Sequence, residues 1–309
     1  MTRSDSCILA VDAGGTSLKA ALIPAGPHAR NAEECAEWVR RSFFSVDVRS
    51  DGGREEILSA YRALGQKASD LASRVGLSIL RAAVCTPGPF DYMAGCSLMR
   101  HKFQEIYGVP LSPVLQESIG KDCRVSFLHD STAFLLGAGL SAPPGRRLCG
   151  VTIGTGLGFA CMRDGKIRQN PMGGPAVVLY SRPYLRSTGE SYVSKRGILN
   201  RYLERSQGAS PELTVAEIAG LARAGDALAL EAFQDTGLHL GRILLPVLRE
   251  CQSDTVLLGG AISKSADLFL PQLGAVLSPA GIRAIPAKDI DLSPLFGAAR
   301  YAPELTVCG

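Results

Sequence analysis

Three short apolar runs in this chain end in glycine, and that pattern restricts the possible folds more than any other feature. The runs are CILAVDAGGT (7–16), LCGVTIGTG (148–156) and TVLLGGAIS (255–263). Each reads as a buried strand whose carboxyl end opens into a turn nearly free of side chains. At such a turn the backbone N–H groups can approach a ligand closely and cradle phosphate oxygens. The residues concerned are Asp12, Gly14, Gly15 and Thr16, then Gly154, Thr155 and Gly156, then Gly259 and Gly260. The threonine hydroxyls add donors, and Asp12 could hold a hydrated Mg2+. Gly-Gly and Gly-Thr-Gly are also ordinary turn chemistry, so a single loop would carry little. Three of them, at strand ends in two similar halves, carry much more.

The patterning between the turns repeats. Residues 7–13 and 17–23 flank Gly14-Gly15 as a hairpin, and 147–154 with 159–167 repeat the theme, Asp164-Gly165 marking a further tight turn. A strand is expected over 41–48. Ile57, Tyr61, Leu64, Ala68, Leu71 and Val75 recur at helical spacing and predict an amphipathic helix over 54–75. Strands at 79–85 and 123–130 follow, with a short helix over 111–120 between them and an almost wholly apolar one over 131–140. The patterning leaves 168–189 unassigned. Helices are expected at 190–205, at 214–223 behind a Thr214/Glu217 capping box, and at 226–250, where Pro246 should bend the chain. A strand over 282–286 and a helix near 294–301 close the sequence.

Composition excludes several classes. The 309 residues, 46% hydrophobic and 20% charged, suffice for about two domains with packed cores. No apolar run approaches the ~18–20 residues that cross a bilayer, and the first apolar stretch is too short for a secretory signal. The 33 basic and 29 acidic residues are dispersed, giving a net charge of +4 without the basic face that nucleic-acid binding requires. Nine cysteines form no C-x-x-C pair, and several stand inside strand-like runs, which points to a reducing cytoplasm. The histidines are far apart, so no zinc site is expected. A Walker loop, a complete G-x-G-x-x-G and a G-x-S-x-G elbow are all absent.

With these residues in order, AVDAGGTSLKAAL, CTPGPFD, FLHDSTAFLLGAG, VTIGTGLGFACMRDGKI and TVLLGGAIS, the chain resembles the ROK family of sugar kinases in the actin/hexokinase/Hsp70 ATPase superfamily. The resemblance runs from about residue 8 to 300. It implies an α/β fold of two ribonuclease-H-like (actin-like ATPase) domains with an interdomain cleft. The small domain would cover about 1–120, with a C-terminal helix of about 294–309 packing back on it, and the large domain 121–293. ATP and Mg2+ would be the cofactors and a sugar the substrate. A homodimer is implied, with no nucleic-acid or membrane partner. Asp130 matches the family's catalytic base, which would take a proton from a sugar hydroxyl such as the 6-OH of a hexose. A helix N-cap is the other reading of Asp130, and the two are compatible. Gly88, in the PGPFD element, falls among the sugar-binding positions.

The departures from the family concern the sugar. His129 stands where Asn usually precedes the catalytic Asp. His101 and Lys102, in MRHKF, replace a sugar-contacting Asn and its neighbours, and could bind hydroxyls or an acidic or N-acetyl group; solvated surface charge is the alternative. The stretch GGPAVVLYSRPYLRSTGESYVSKRG (173–197) lacks both the family's E-x-G-H element and its zinc-binding cysteines. Glu190 matches the glutamate that touches the sugar near its anomeric end. Structural zinc is therefore not expected, and glucose, fructose, mannose, allose and N-acetylated hexosamines all remain open. Lys19 reads as an exposed strand residue, a phosphate contact being the alternative, and His239 as a satisfied core residue. A sugar-responsive repressor would need a DNA-binding domain that the short stretch before Asp12 has no room for, and a catalytically silent sugar binder is the second alternative.

Overall fold

The first glycine turn joins β1 (Ser6–Ala13) to β2 (Ser17–Pro24), antiparallel, with Ala13 opposite Leu18. The structure is a computed structural model that describes residues 6–25, 32–143, 146–206, 210, 212–301 and 306–308. Helix α1 (Ala32–Ser42) was not legible from periodicity: its buried face is only Cys35, Ala36, Val39 and Ser42 among charged neighbours. The strand expected from residue 41 therefore begins later, as β3 (Phe44–Asp47), paired with β2. Helix α2 (Arg54–Arg74) buries Ile57, Tyr61, Leu64 and Ala68, as their spacing requires. Then come β4 (Ser78–Thr86), the two-residue strands β5 (Phe90–Asp91) and β6 (Cys96–Ser97), α3 (Leu111–Ile119), β7 (Arg124–His129) and α4 (Asp130–Ala138). The sheet order is β3-β2-β1-β4-β7, with β1, β4 and β7 parallel. Asp12 is level with Cys85, and Thr86 with His129. Asp12, Cys85, His129 and Asp130 thus gather at the carboxyl ends of three parallel strands, where open α/β sheets bind ligands.

The second unit builds a like sheet. Strands β8 (Leu148–Ile153) and β9 (Leu157–Arg163) flank the second glycine turn, and β10 (Lys166–Gln169) follows through Asp164 and Gly165, both at positive φ. The unassigned stretch holds the small hairpin of β11 (Pro183–Tyr184) and β12 (Ser187–Thr188). The helix expected over 190–205 is two: α5 (Gly189–Val193) and α6 (Lys195–Arg205), broken at the extended Ser194. The break frees the Lys195 N–H to donate to the Gly154 carbonyl at 2.8 Å, a bond a continuous helix would forbid. Helix α7 (Val215–Arg223) opens with the Thr214/Glu217 capping box, and α8 (Ala227–Glu250) runs through Pro246. Strand β13 (Thr255–Gly259), helix α9 (Leu270–Leu277), which was not anticipated, and β14 (Arg283–Pro286) complete the unit. Five strands of this six-stranded sheet, in the order β14-β13-β8-β9-β10 with β14, β13 and β8 parallel, mirror the first sheet. Three antiparallel strands followed by two parallel ones make the ribonuclease-H-like topology in each unit.

The chain closes with α10 (Ser293–Arg300) and a short strand, β15 (Thr306–Cys308). The helix expected to extend to 309 ends at Arg300, and residues 302–305 and 309 lie outside the described residues. The first compact unit comprises Met1–Ser141, Arg168–Ala176 and Leu292–Gly309; the second comprises Ala142–Ile167 and Val177–Asp291. The first unit reaches Ser141 rather than about residue 120, because β7 completes its sheet beside β4 and leads directly into α4. Among the described residues no helix is long and apolar enough to cross a membrane.

Helix α4, which begins at Asp130, is held by close contact with α10. A Cβ at Gly137 would lie 1.9 Å from the Ser293 carbonyl oxygen, and one at Gly297 1.7 Å from that of Ala133. Arg300 donates to the Leu136 carbonyl at 2.9 Å, and Arg81, on β4, donates to the Ala299 and Tyr301 carbonyls. Helix α10 also packs on β1. The position of Asp130 relative to Asp12 therefore depends on two glycines. Gly297→Ala should lower stability by ~1–3 kcal/mol through overpacking, read from chemical denaturation; undiminished stability would mean that the helices can separate freely.

Candidate active site

In the first unit the site is built on two carboxylates. Asp12 ends β1, and its Oδ1 has the Cys85 thiol at 3.6 Å, a weak donor. Burial raises its pKa from 3.8 to about 6, the negative charge of Asp130 adds to the rise, and Lys19 and Cys85 oppose it. Lys19 is the cross-strand neighbour of Asp12 on β2, with an exposed side chain. The turn beyond Asp12 is pinned by its own backbone: Gly14 N–H donates to the Ser17 carbonyl at 3.0 Å, and the Gly15 carbonyl accepts from Ser50 N–H at 3.1 Å. Thr16 is exposed.

Asp130 opens α4 with 38% of its side chain exposed. Its Oδ1 accepts from Ser131 N–H at 2.6 Å and stands 2.7 Å from His129 Nδ1. The Ser131 hydroxyl lies 2.8 Å from that same Nδ1. A bare lone pair on Nδ1 would face a carboxylate lone pair at 2.7 Å, so Nδ1 carries the proton and donates to Asp130. Burial pushes the Asp130 carboxyl up, but the His129 charge and hydrogen bond, the Ser131 N–H and the charge of Lys102 together outweigh it and hold it below its ordinary value. The His129 ring stands edge-on to Tyr92, with centroids 5.9 Å apart. A Cβ at Gly88 would lie 3.7 Å from His129 Cδ2, so the glycine borders the imidazole. Lys102 lies beside Gly15, and His101 is exposed. Of the expected sugar positions, Gly88, Lys102 and His129 thus border the same carboxylates.

The second unit brings the other loops together. Gly259 on β13 is level with Thr152 on β8, so Gly260 follows beside the Gly154 turn. Gly260 has φ 82, and a Cβ there would meet the Ile153 backbone at 2.4 Å, so a side chain is excluded both by conformation and by space. Glu190 falls in this group: its Oε2 accepts from Leu157 N–H at 3.0 Å and lies 2.9 Å from where a Cβ on Gly156 would stand. Glu190 thereby braces the glycine turn. Thr155, at the tip, is exposed. His239 meets the Tyr184 hydroxyl at 2.9 Å and the Tyr192 ring, which ties the hairpin of β11 and β12 to α8.

Cys85, Ser50, Tyr92 and Lys195 were not singled out from the sequence. Only Cys85, beside TPGP at a strand end, carried a readable sign. Among the described residues no three His, Cys, Asp or Glu side chains gather as a metal cluster. Mg2+ needs less than that, since it commonly keeps its waters and takes one or two carboxylates with substrate phosphates. The half-buried Asp12, whose ionisation Asp130 opposes, suits a hydrated cation of this kind.

The raised Asp12 pKa has a thermodynamic sign. The folded state binds this proton more tightly than the unfolded one, so stability is full below about pH 4 and declines as pH rises through about 6. Asp12→Asn should therefore stabilise the ligand-free protein by ~1–3 kcal/mol at pH 8 and hardly at all at pH 4. Denaturant unfolding at both pH values measures this; equal effects at the two would contradict it.

Comparison with known proteins agrees with this geometry. Residues 187–303 match the ROK family model. No curated protein sequence matches the chain. A ROK family glucokinase from Streptomyces griseus, solved with glucose and AMPPNP, superposes with a TM-score of 0.76 at 19% identity, covering 97% of this chain and 100% of that one. The ROK hexokinase from Thermus thermophilus gives 0.70 at 20% identity over 95% and 96%. A ROK family transcriptional regulator homologous to the E. coli MLC protein gives 0.75 at 18% identity, over 96% of this chain but 77% of its own. At these identities the structural likeness is one of fold, the two-domain actin-like ATPase fold. The chain is thus similar to the ROK family over residues 187–303 and shares its fold with solved ROK sugar kinases.

Proposed function

We propose that this protein is an ATP-dependent sugar kinase that phosphorylates a hexose or hexose derivative at its 6-hydroxyl, with Asp130 as general base. The observation that carries the reading is the accessible carboxylate of Asp130 at the start of α4, beside the Asp12–Thr16 turn in the same unit. Two of the similar structures, a glucokinase and a hexokinase, support sugar as acceptor, and the AMPPNP in the first supports ATP as donor.

On this reading the Gly14–Thr16 turn of the first unit offers N–H and hydroxyl donors to phosphate, and the glycine turns of the second unit, taken by themselves, offer donors of the same kind. Mg2+, held through water by Asp12, would neutralise phosphate charge when bound. The contacts from His129 and Ser131 gather on Oδ1 of Asp130, leaving Oδ2 to accept the hydroxyl hydrogen bond. Because His129 and Ser131 keep Asp130 ionised, it meets the sugar already deprotonated. The hydroxyl proton passes to Asp130 as the sugar oxygen attacks the γ-phosphorus. His129 has its Nδ1 committed to Asp130, so a sugar would meet its other nitrogen. The reading carries with it a homodimer in a reducing cytoplasm, supported by free cysteines and by analogy with the family.

A catalytically silent sugar binder is the second reading, favoured by the missing E-x-G-H element. A coupled ADP-release assay over hexoses and amino sugars decides between them. Asp130→Asn should lower kcat by ~10²–10⁴-fold with one of these sugars while sugar binding persists. Sugar binding without turnover in the unaltered protein would favour the silent reading.

A further inference from the structure

The Lys102 side chain lies along the first glycine turn. A Cβ at Gly15 would stand 3.6 Å from Lys102 Cδ and 3.7 Å from its Nζ, so the aliphatic stem and the ammonium both border this turn. The placement is braced. Phe103, its neighbour, is 1% exposed, adopts a left-handed backbone with φ 52, and donates its N–H to the Ser50 carbonyl at 2.6 Å. Ser50 in turn donates its N–H to the Gly15 carbonyl, and its hydroxyl stands 3.2 Å from the Gly15 Cβ position. A short strut, Gly15–Ser50–Phe103, thus fixes the backbone next to Lys102 against the turn, and the exposed lysine side chain lies along it. The same ammonium acts electrostatically on Asp130.

We propose that Lys102 is a catalytic residue of this site, whose ammonium takes up the charge of the phosphoryl group in transit between nucleotide and sugar, rather than a ligand of the sugar. This rests on the kinase reading above. In the step, the bond from γ-phosphorus to the leaving oxygen of ADP breaks as the bond to the sugar oxygen forms. The hydroxyl proton goes to Asp130, and Lys102 keeps its own. A cation beside both the phosphate turn and the base lies where negative charge accumulates on the equatorial phosphoryl oxygens, and a lysine serves there as a compact point charge.

The test compares Lys102→Met, Lys102→Arg and the unaltered enzyme in the coupled assay, with titration calorimetry of AMPPNP and of ADP–aluminium fluoride in the presence of sugar. Lys102→Met should lower kcat by ~10²–10³-fold and weaken ADP–aluminium fluoride to a like degree, with sugar KM and AMPPNP affinity within ~3-fold. Lys102→Arg should recover a substantial part of both. A variant as active as the unaltered enzyme, or one whose loss falls in sugar KM, would overturn the proposal and leave the kinase reading standing. An unaltered enzyme that turns over no sugar would overturn both.

Discussion

Two carboxylates that cannot both ionise freely set the character of this protein. Asp12 and Asp130 end β1 and follow β7, on either side of β4, and the charge of Asp130 bears on Asp12. The two are not equivalent. Burial and its partner's charge push Asp12 up to about 6, while His129, Ser131 and Lys102 hold Asp130 below the ordinary carboxylate range. One group is thus left wanting a cation and the other is kept as an anion. Neighbouring acids whose environments drive them apart mark a division of labour.

The scaffold is arranged to keep this pair in place. Parallel register fixes Asp12 level with Cys85 and Thr86 level with His129, while the Gly137 and Gly297 contacts draw α4 onto α10. Neither glycine touches the site, yet both set where Asp130 stands. The second unit repeats the device with different residues. There Gly260 presses against the β8 backbone, and Glu190 with Lys195 N–H braces the Gly154 turn.

Much of this was legible in the sequence because it rests on local pattern. Strand runs with alternation or full burial, the α2 stripe, the Thr214/Glu217 box and the glycine turns are short-range signals. Helix α1 escaped because its buried face is small, and α5 and α6 read as one helix because the break at Ser194 answers a carbonyl forty residues earlier in the chain, at Gly154. The site divided in the same way. Residues at strand ends could be picked out from the run that carries them. Glu190 and Lys102 could be named as charges, but their targets were set by tertiary packing: one braces a turn by its backbone N–H, and the other lies along Gly15 through Ser50 and Phe103.

The central claim is that the Asp12–Thr16 turn and Asp130 together move a phosphoryl group onto a sugar alcohol. Correlated 1H–31P NMR of the purified protein incubated with ATP, magnesium and each candidate hexose tests it most directly. The account predicts a phosphorus resonance coupled to the C6 methylene protons of at least one sugar. Consumption of ATP to free orthophosphate alone, or phosphorus coupled to the anomeric proton instead, would contradict it.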